Sequence, residues 1–210
     1  MQLEPSSTGA SFVTPASWAR AQTAHVDELL VEQAHLEKKA AAGAVAFLLR
    51  VPMDATLHGR LSRLAREELV HFERALRLLE ARGVAFETQP SSGYAERLKK
   101  AVRRDQPGRL VDELLTAALI ERRSHERMSL LAEAFREVAP EVAAFYADLC
   151  PAEERHEDLY LELATLVVDD DSTRRRYDEL AAHEARVLDA LSFAPRLHSG
   201  LPIAAAEERA

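Results

Sequence analysis

The chain has 210 residues, 47% hydrophobic and 30% charged, with a formal net charge of −8, an ordinary globular balance with room for one sizeable core. Its single cysteine, Cys150, excludes an internal disulfide and a cysteine-only metal site and fits a reducing cytoplasm. The acidic charge does not advertise nucleic-acid binding, and neither an apolar stretch of membrane-spanning length nor a basic-then-apolar leader is visible.

Abundant Ala, Leu, Glu and Arg, with sparse Gly and aromatics, favour helix over strand. Residues 1–16, rich in Ser, Thr, Gly and Pro, read as an irregular arm. A long helix is then expected from about Ser17 to Arg50, stopping at Val51-Pro52 because proline disfavours helix in the residue before it. Asp54 can cap a second helix that runs to about Arg82 and ends at Gly83. Residues 84–93 form a loop, followed by a short helix at about 94–104 and a break at Gln106-Pro107-Gly108. A third long helix covers about 109–136. Pro140 suits the first turn of a fourth, running to about Val168. A fifth helix spans about 172–191, and the tail 192–210 looks irregular. The expected class is all-α: a single domain over 1–210, built as a four-helix bundle with an extra short helix and a C-terminal helix.

The chemistry sits in the apolar stripes. Two Glu-x-x-His pairs, Glu68/His71 and Glu153/His156, lie 85 residues apart; Glu37 precedes the first pair by 31 residues and Glu121 the second by 32. Residues three apart on a helix share a face, so each pair can aim an oxygen and a nitrogen at one point. All six fall within heptad-like apolar faces, such as Leu57, Leu61, Leu64, Glu68, His71 and Ala75, or Tyr146, Leu149, Glu153, His156, Tyr160 and Leu163. Ionisable groups there are costly unless paired or metal-bound. Glu37 and Glu68 are equidistant from the Val51–Asp54 turn, and Glu121 and Glu153 from the turn before Pro140. At about 1.5 Å per residue, every one of these glutamates stands about 23 Å from its turn, in one layer. Four carboxylates balance two divalent cations, and a carboxylate-rich set with two imidazoles suits iron or manganese better than zinc. By analogy with such bundles, Glu68 and Glu153 would bridge, Glu37 and Glu121 would be terminal ligands, and His71 and His156 would each cap one metal.

Other residues carry weaker signals. A lone Glu-x-x-His is commonplace, and Glu32/His35 is a further one. His125 faces inward four residues after Glu121, as a partner of the ligands or an ordinary core histidine. Tyr146 and Tyr160 read as packing, and Cys150 as a structural thiol. Lys99, Lys100, Arg103, Arg104 and Arg109 form the densest basic run, with another at Arg174, Arg175 and Arg176; such runs are most often solvated helix faces.

Four segments, HLEKKAAA from His35, RLSRLAREELVHF from Arg60, ALIERRSHER from Ala118 and EERHEDLY from Glu153, together resemble the tRNA 2-methylthio-isopentenyl-adenosine hydroxylase family. The linker YAERLKKAVRR from Tyr94 and the tail RLHSGLP from Arg196 are similar to it as well, so the likeness spans about residues 25–200. The resemblance implies a ferritin-like fold, a non-haem di-iron centre held by Glu37, Glu68, His71, Glu121, Glu153 and His156, and O₂-dependent hydroxylation of the isopentenyl group on a hypermodified adenosine beside the tRNA anticodon. One oxygen atom would enter the substrate and the other leave as water, which takes two external electrons. The chain has no paired-cysteine redox motif and no Gly-rich dinucleotide fingerprint, so a separate ferredoxin or reductase is implied. Lys99, Lys100, Arg103 and Arg104 are the first candidates for phosphate contacts, and a monomer is expected. Two alternatives stay open. A rubrerythrin-like peroxidase shares the paired motif but would need its second iron domain from another chain; iron storage would need a shell of subunits.

Overall fold

The computed structural model describes residues 12–203, so most of the expected N-terminal arm and the last residues of the tail lie outside the described residues. These contain helices α1 (Ala16–Gln22), α2 (Val26–Leu48), α3 (Ala55–Ala81), α4 (Tyr94–Leu98), α5 (Gly108–Ala134), α6 (Pro140–Thr165) and α7 (Asp170–Asp189). Short 3-10 turns stand at Thr23–His25 and Lys99–Ala101, and the described residues include no strand. The all-α expectation holds.

Local signals set most boundaries. Asp54 caps α3 by accepting from the Leu57 N–H at 2.9 Å. Gly83, at φ +68°, supplies the left-handed residue that ends the same helix. Pro140 occupies the first turn of α6, and the Asp169 carboxylate accepts from Ser172 N–H to start α7. The single long helix expected from Ser17 is instead broken. Thr23 Oγ1 donates to the Arg20 carbonyl at 2.8 Å, diverting an acceptor from the ladder, and His25 leaves helical geometry at φ −126°, ψ 28°. The break turns α1 across α5, with Trp18 fully buried beneath it.

The four long helices form the bundle in the cyclic order α2, α3, α6, α5. The hairpins α2/α3 and α5/α6 make its most extensive contacts. Arg60–Glu162, Glu67–His156 and Arg74–Asp148 step along α3 and α6 in opposite directions, which makes that pair antiparallel too. Arg50, just past α2, pairs with Glu113 near the start of α5, so α2 and α5 also run antiparallel. Two apolar layers fill the interior. One gathers Leu30, Ala75, Met128, Leu131, Phe135, Tyr146 and Leu149; the other gathers Ala44, Leu57, Leu61, Leu64, Leu114, Ala118, Tyr160 and Leu163. The six motif residues lie between them along every long helix, as a polar layer between two apolar plugs.

Helix α7, α4 and the tail are tied on by buried charge. Arg123 meets Glu184 at 2.9 Å with both side chains almost fully buried, and Tyr94 donates to Glu184 at 2.7 Å. Asp112, fully buried, receives Arg103 at 2.7 Å and Arg176 at 2.8 Å, fastening the loop before α5 to α7. Residues 192–202 are irregular, as expected, yet Leu197, His198 and Ser199 are buried. Arg127, itself inaccessible, donates to the Leu197 and Ser199 carbonyls, both at 2.7 Å. Burial and the neighbouring Arg123 push its pKa down to about 9. The turn also needs a glycine: a Cβ on Gly200 would sit 1.7 Å from the Leu191 carbonyl oxygen. Gly200→Ala is therefore expected to cost about 1–3 kcal/mol through forced backbone movement, read as a lowered midpoint in chemical denaturation; unchanged stability would show that the tail is not held this way.

Candidate metal centre and its pocket

Each long helix brings its motif residue to the same level. Glu37 comes from α2, Glu68 and His71 from α3, Glu121 from α5, and Glu153 and His156 from α6; all six are buried. They fall into two overlapping groups, Glu37/Glu68/His71/Glu153 and Glu68/Glu121/Glu153/His156, with the potential ligand atoms of each group within 4.8 Å of one another. Glu68 and Glu153 belong to both groups, as bridging residues must.

The atoms aim at shared points more than at each other. His71 Nδ1 stands 3.6 Å from Glu37 Oε2 and 3.6 Å from Glu68 Oε2. His156 Nδ1 stands 2.8 Å from Glu68 Oε1, but neither atom has a hydrogen-bond partner of proper geometry among the described residues, and the same holds for Glu68 Oε2 and His71 Nδ1. Buried polar atoms left in this way are rare, and converging lone pairs are what a cation requires. Four carboxylates and two neutral imidazoles would leave two divalent ions electrically balanced, so these residues could hold a pair of divalent metal ions. Around them, Gln33 donates to Glu37 Oε1 at 2.6 Å. The second nitrogen of His156 donates to Glu67 Oε2 at 3.0 Å, which turns Nδ1 inward.

Electrostatics report the same crowding. Burial raises Glu68, Glu121 and Glu153, and neighbouring carboxylates push Glu68 and Glu153 further, well above the usual range. Burial opposes the charge on Glu37 as well, but the neighbouring His71 and Glu68 groups outweigh it and hold Glu37 low. For His71, burial disfavours the imidazolium, yet Glu37 and Glu68 overcome this and lift it to about 9.

The weaker sequence candidates resolve differently. Glu32, burial-raised to about 7, receives the Leu197 N–H, and His35 contacts the Glu87 carbonyl, so this third Glu-x-x-His holds loops in place. His125 is only half-buried and stands in neither group. Cys150 Sγ lies 3.3 Å from both Ser129 Oγ and the Tyr146 carbonyl. Arg103 serves Asp112, whereas Lys99, Arg103, Arg104 and Arg109 line the mouth of a pocket from which Lys100 is absent.

That pocket, about 970 Å³, opens between α2 and α5. Its floor carries Glu37, Glu68, Glu121 and Glu153, and its walls include Leu36, Ala40, Phe47, Ala117, Ile120, Met128 and Tyr160. Lys39 and Arg50 join the cations of the α4–α5 linker around it. Reading the sequence missed Glu67, Lys39, Arg50, Tyr94, Ser124 and His198 here. No periodicity marks a residue whose importance comes from a neighbour on another helix.

The family model for tRNA-(MS2IO6A)-hydroxylase (MiaE) matches residues 2–199. A tRNA 2-(methylsulfanyl)-N(6)-isopentenyladenosine(37) hydroxylase from Pseudomonas putida is 37% identical over 193 residues, 92% of this chain and 93% of its own length. One of the same name from Salmonella typhimurium is 36% identical over 154 residues, 73% of this chain and 55% of its own length. Among solved structures, a protein with aldehyde deformylating oxygenase activity from Synechococcus superposes with a TM-score of 0.84 at 40% identity, covering 92% of this chain and 97% of that one.

In metal-free protein His71 carries a proton at neutral pH, and it must lose that proton to offer Nδ1 to a cation. Anaerobic Fe(II) binding is therefore expected to tighten as pH rises from 6 toward about 9 and to release protons, detectable by calorimetry in buffers of different ionisation enthalpy. An affinity independent of pH would show that these groups are not the ligands.

Proposed function

Because the chain belongs to the tRNA-(MS2IO6A)-hydroxylase family, we propose that it hydroxylates the isopentenyl group of 2-methylsulfanyl-isopentenyladenosine in tRNA, using O₂ and two iron ions held by Glu37, Glu68, His71, Glu121, Glu153 and His156. In this reading the chain acts as one ferritin-like domain and a monomer. Among the described residues no helix is long and apolar enough to cross a membrane.

The observation that carries the proposal is the single pocket joining three chemistries. Carboxylates stand at its floor, apolar side chains and Tyr160 along its walls, and cations at its mouth. A prenylated nucleoside has the same order: a greasy five-carbon arm, a base and a phosphate. At about 970 Å³ the pocket lies at the upper end of the range for small-ligand sites. Lys39, Arg50, Lys99, Arg104 and Arg109 would meet phosphates, which reconciles a net charge of −8 with an RNA substrate, since a local field rather than the sum governs docking. Leu36, Ala40, Phe47 and Ile120 would hold the prenyl arm and exclude water. Bound to the six residues, iron supplies the O₂ activation that an unactivated C–H bond demands. The two electrons come from a separate donor, since the chain carries no second redox motif.

Glu68→Ala removes a carboxylate common to both groups. With reduced donor, O₂ and modified tRNA, it should abolish the one-oxygen gain seen by nucleoside mass spectrometry while helical circular dichroism is retained; residual hydroxylation would refute the assignment. Reversing Lys99 and Arg104 to glutamate should weaken tRNA binding about tenfold or more and flatten its salt dependence. Unchanged affinity would move the RNA surface elsewhere. The 40% identity to the Synechococcus oxygenase, together with the apolar walls, supports a second reading, oxygenation of an aldehyde chain. Rapid aldehyde consumption without RNA, indifferent to the mouth reversals, would favour it.

A further inference from the structure

The tail motif RLHSGLP has no part in the metal set, yet the fold expends several buried groups on holding it. Arg127 grips the carbonyls on either side of His198, those of Leu197 and Ser199. Glu32 receives the Leu197 N–H, and Trp18 Nε1 donates to Ser199 Oγ at 3.3 Å. Gly200 N–H reaches the Ser192 carbonyl at 3.0 Å, through a turn that no larger residue fits. The backbone around His198 is thus fixed from both sides.

The imidazole is fixed as well. It stacks on Tyr94 with centroids 4.6 Å apart and planes 4° from parallel, and Nε2 lies 3.3 Å from Ser124 Oγ. Burial and the charges of Arg127 and Arg123 keep it neutral, with a pKa well below the ordinary histidine value. Tyr94, Ser124 and His198 all line the pocket. Along α5, Arg109 stands about 18 Å from Glu121 on the mouth side, and Ser124 about 4.5 Å from it on the other side, at ~1.5 Å per residue. Helix α2 runs the opposite way, so Gln33, about 6 Å before Glu37, lies at this same inner end. The Gln33 side chain is 1% exposed; its Nε2 donates to Glu37, and its Oε1 has no hydrogen-bond partner among the described residues. Just beyond the carboxylates, then, the pocket ends in an unpartnered acceptor and a serine–imidazole pair.

We propose that Gln33, Ser124 and His198 form a hydroxyl-binding end wall, which takes the alcohol group of a hydroxylated prenyl chain and so orients the chain terminus against the metal layer. The inference rests on the hydroxylase reading and extends it to the residues that receive the hydroxylated end once the reaction is done. A hydroxyl there donates to Gln33 Oε1 and accepts from the Ser124–His198 pair, while a plain methyl leaves the wall unsatisfied. His198 is a positioning residue in this role.

The test compares binding of three anticodon stem-loop RNAs to the full-length protein under anaerobic conditions, by fluorescence anisotropy. One carries unmodified adenosine, one 2-methylsulfanyl-isopentenyladenosine, and one its hydroxylated counterpart. The wild type should prefer the hydroxylated over the prenylated RNA by about three- to tenfold, the worth of one or two net hydrogen bonds. Ser124→Ala and His198→Phe, the latter keeping the stack on Tyr94, should bring that ratio toward one; His198→Asn should restore part of it. Should His198→Phe fail to fold, Ser124→Ala decides, because it removes one oxygen only. Equal wild-type affinities for the two modified RNAs, or a ratio that survives both substitutions, would overturn the end wall and leave the hydroxylase reading standing. No preference for either modified RNA over the unmodified one would overturn both.

Discussion

Four carboxylates buried in one layer of a helical bundle repel one another. An isolated buried carboxylate is costly, and here Glu37 leans on His71 and Gln33 while Glu121 bonds Glu153. The frame that carries this layer must therefore be stable without it. Apolar plugs lie on both sides, and ion pairs between α3 and α6 close the outside. The tension between a sound frame and an unsatisfied centre organises the molecule.

Its second consequence is the asymmetry of the bundle. The two hairpins pack closely and ion pairs link α3 to α6, whereas α2 and α5 face one another across the pocket. Helix α4 and its linker lie along this opening and bring Tyr94, Lys99 and Arg104 to it. They are held in turn by Glu184 and Asp112, carboxylates that receive Arg123, Arg103 and Arg176. Buried ion pairs contribute little net stability but are badly missed when one partner is lost. Here they place surface segments accurately, which is what a pocket of mixed chemistry needs.

The tail shows the same economy. An extended segment with no regular structure is pinned through its backbone, with a buried arginine as the clamp and a glycine at the tightest approach. Irregular chain tolerates burial only when its polar groups find partners, and nearly every nearby side chain here serves that purpose. The result is an imidazole as rigidly placed as any on a helix.

How much of this could be read without coordinates differs by residue. The spacing of Glu37, Glu68, His71, Glu121, Glu153 and His156 told of helices, a common face and a common level, because helical periodicity and equal distance from a turn are properties of the chain itself. Asp54, Gly83 and Pro140 likewise announced their roles, since capping and termination depend on a few adjacent residues. The break at Thr23–His25 was not legible, as it arises where α1 must turn to pack on α5. Nor were Glu67 beside His156, the cations converging from α2 and the linker, or His198 lying against Ser124. Those relations join residues many tens of positions apart through nothing periodic. Local sequence determined which side chains face inward and at what height; only the packing of helix on helix, and of the tail on both, decided which of them meet.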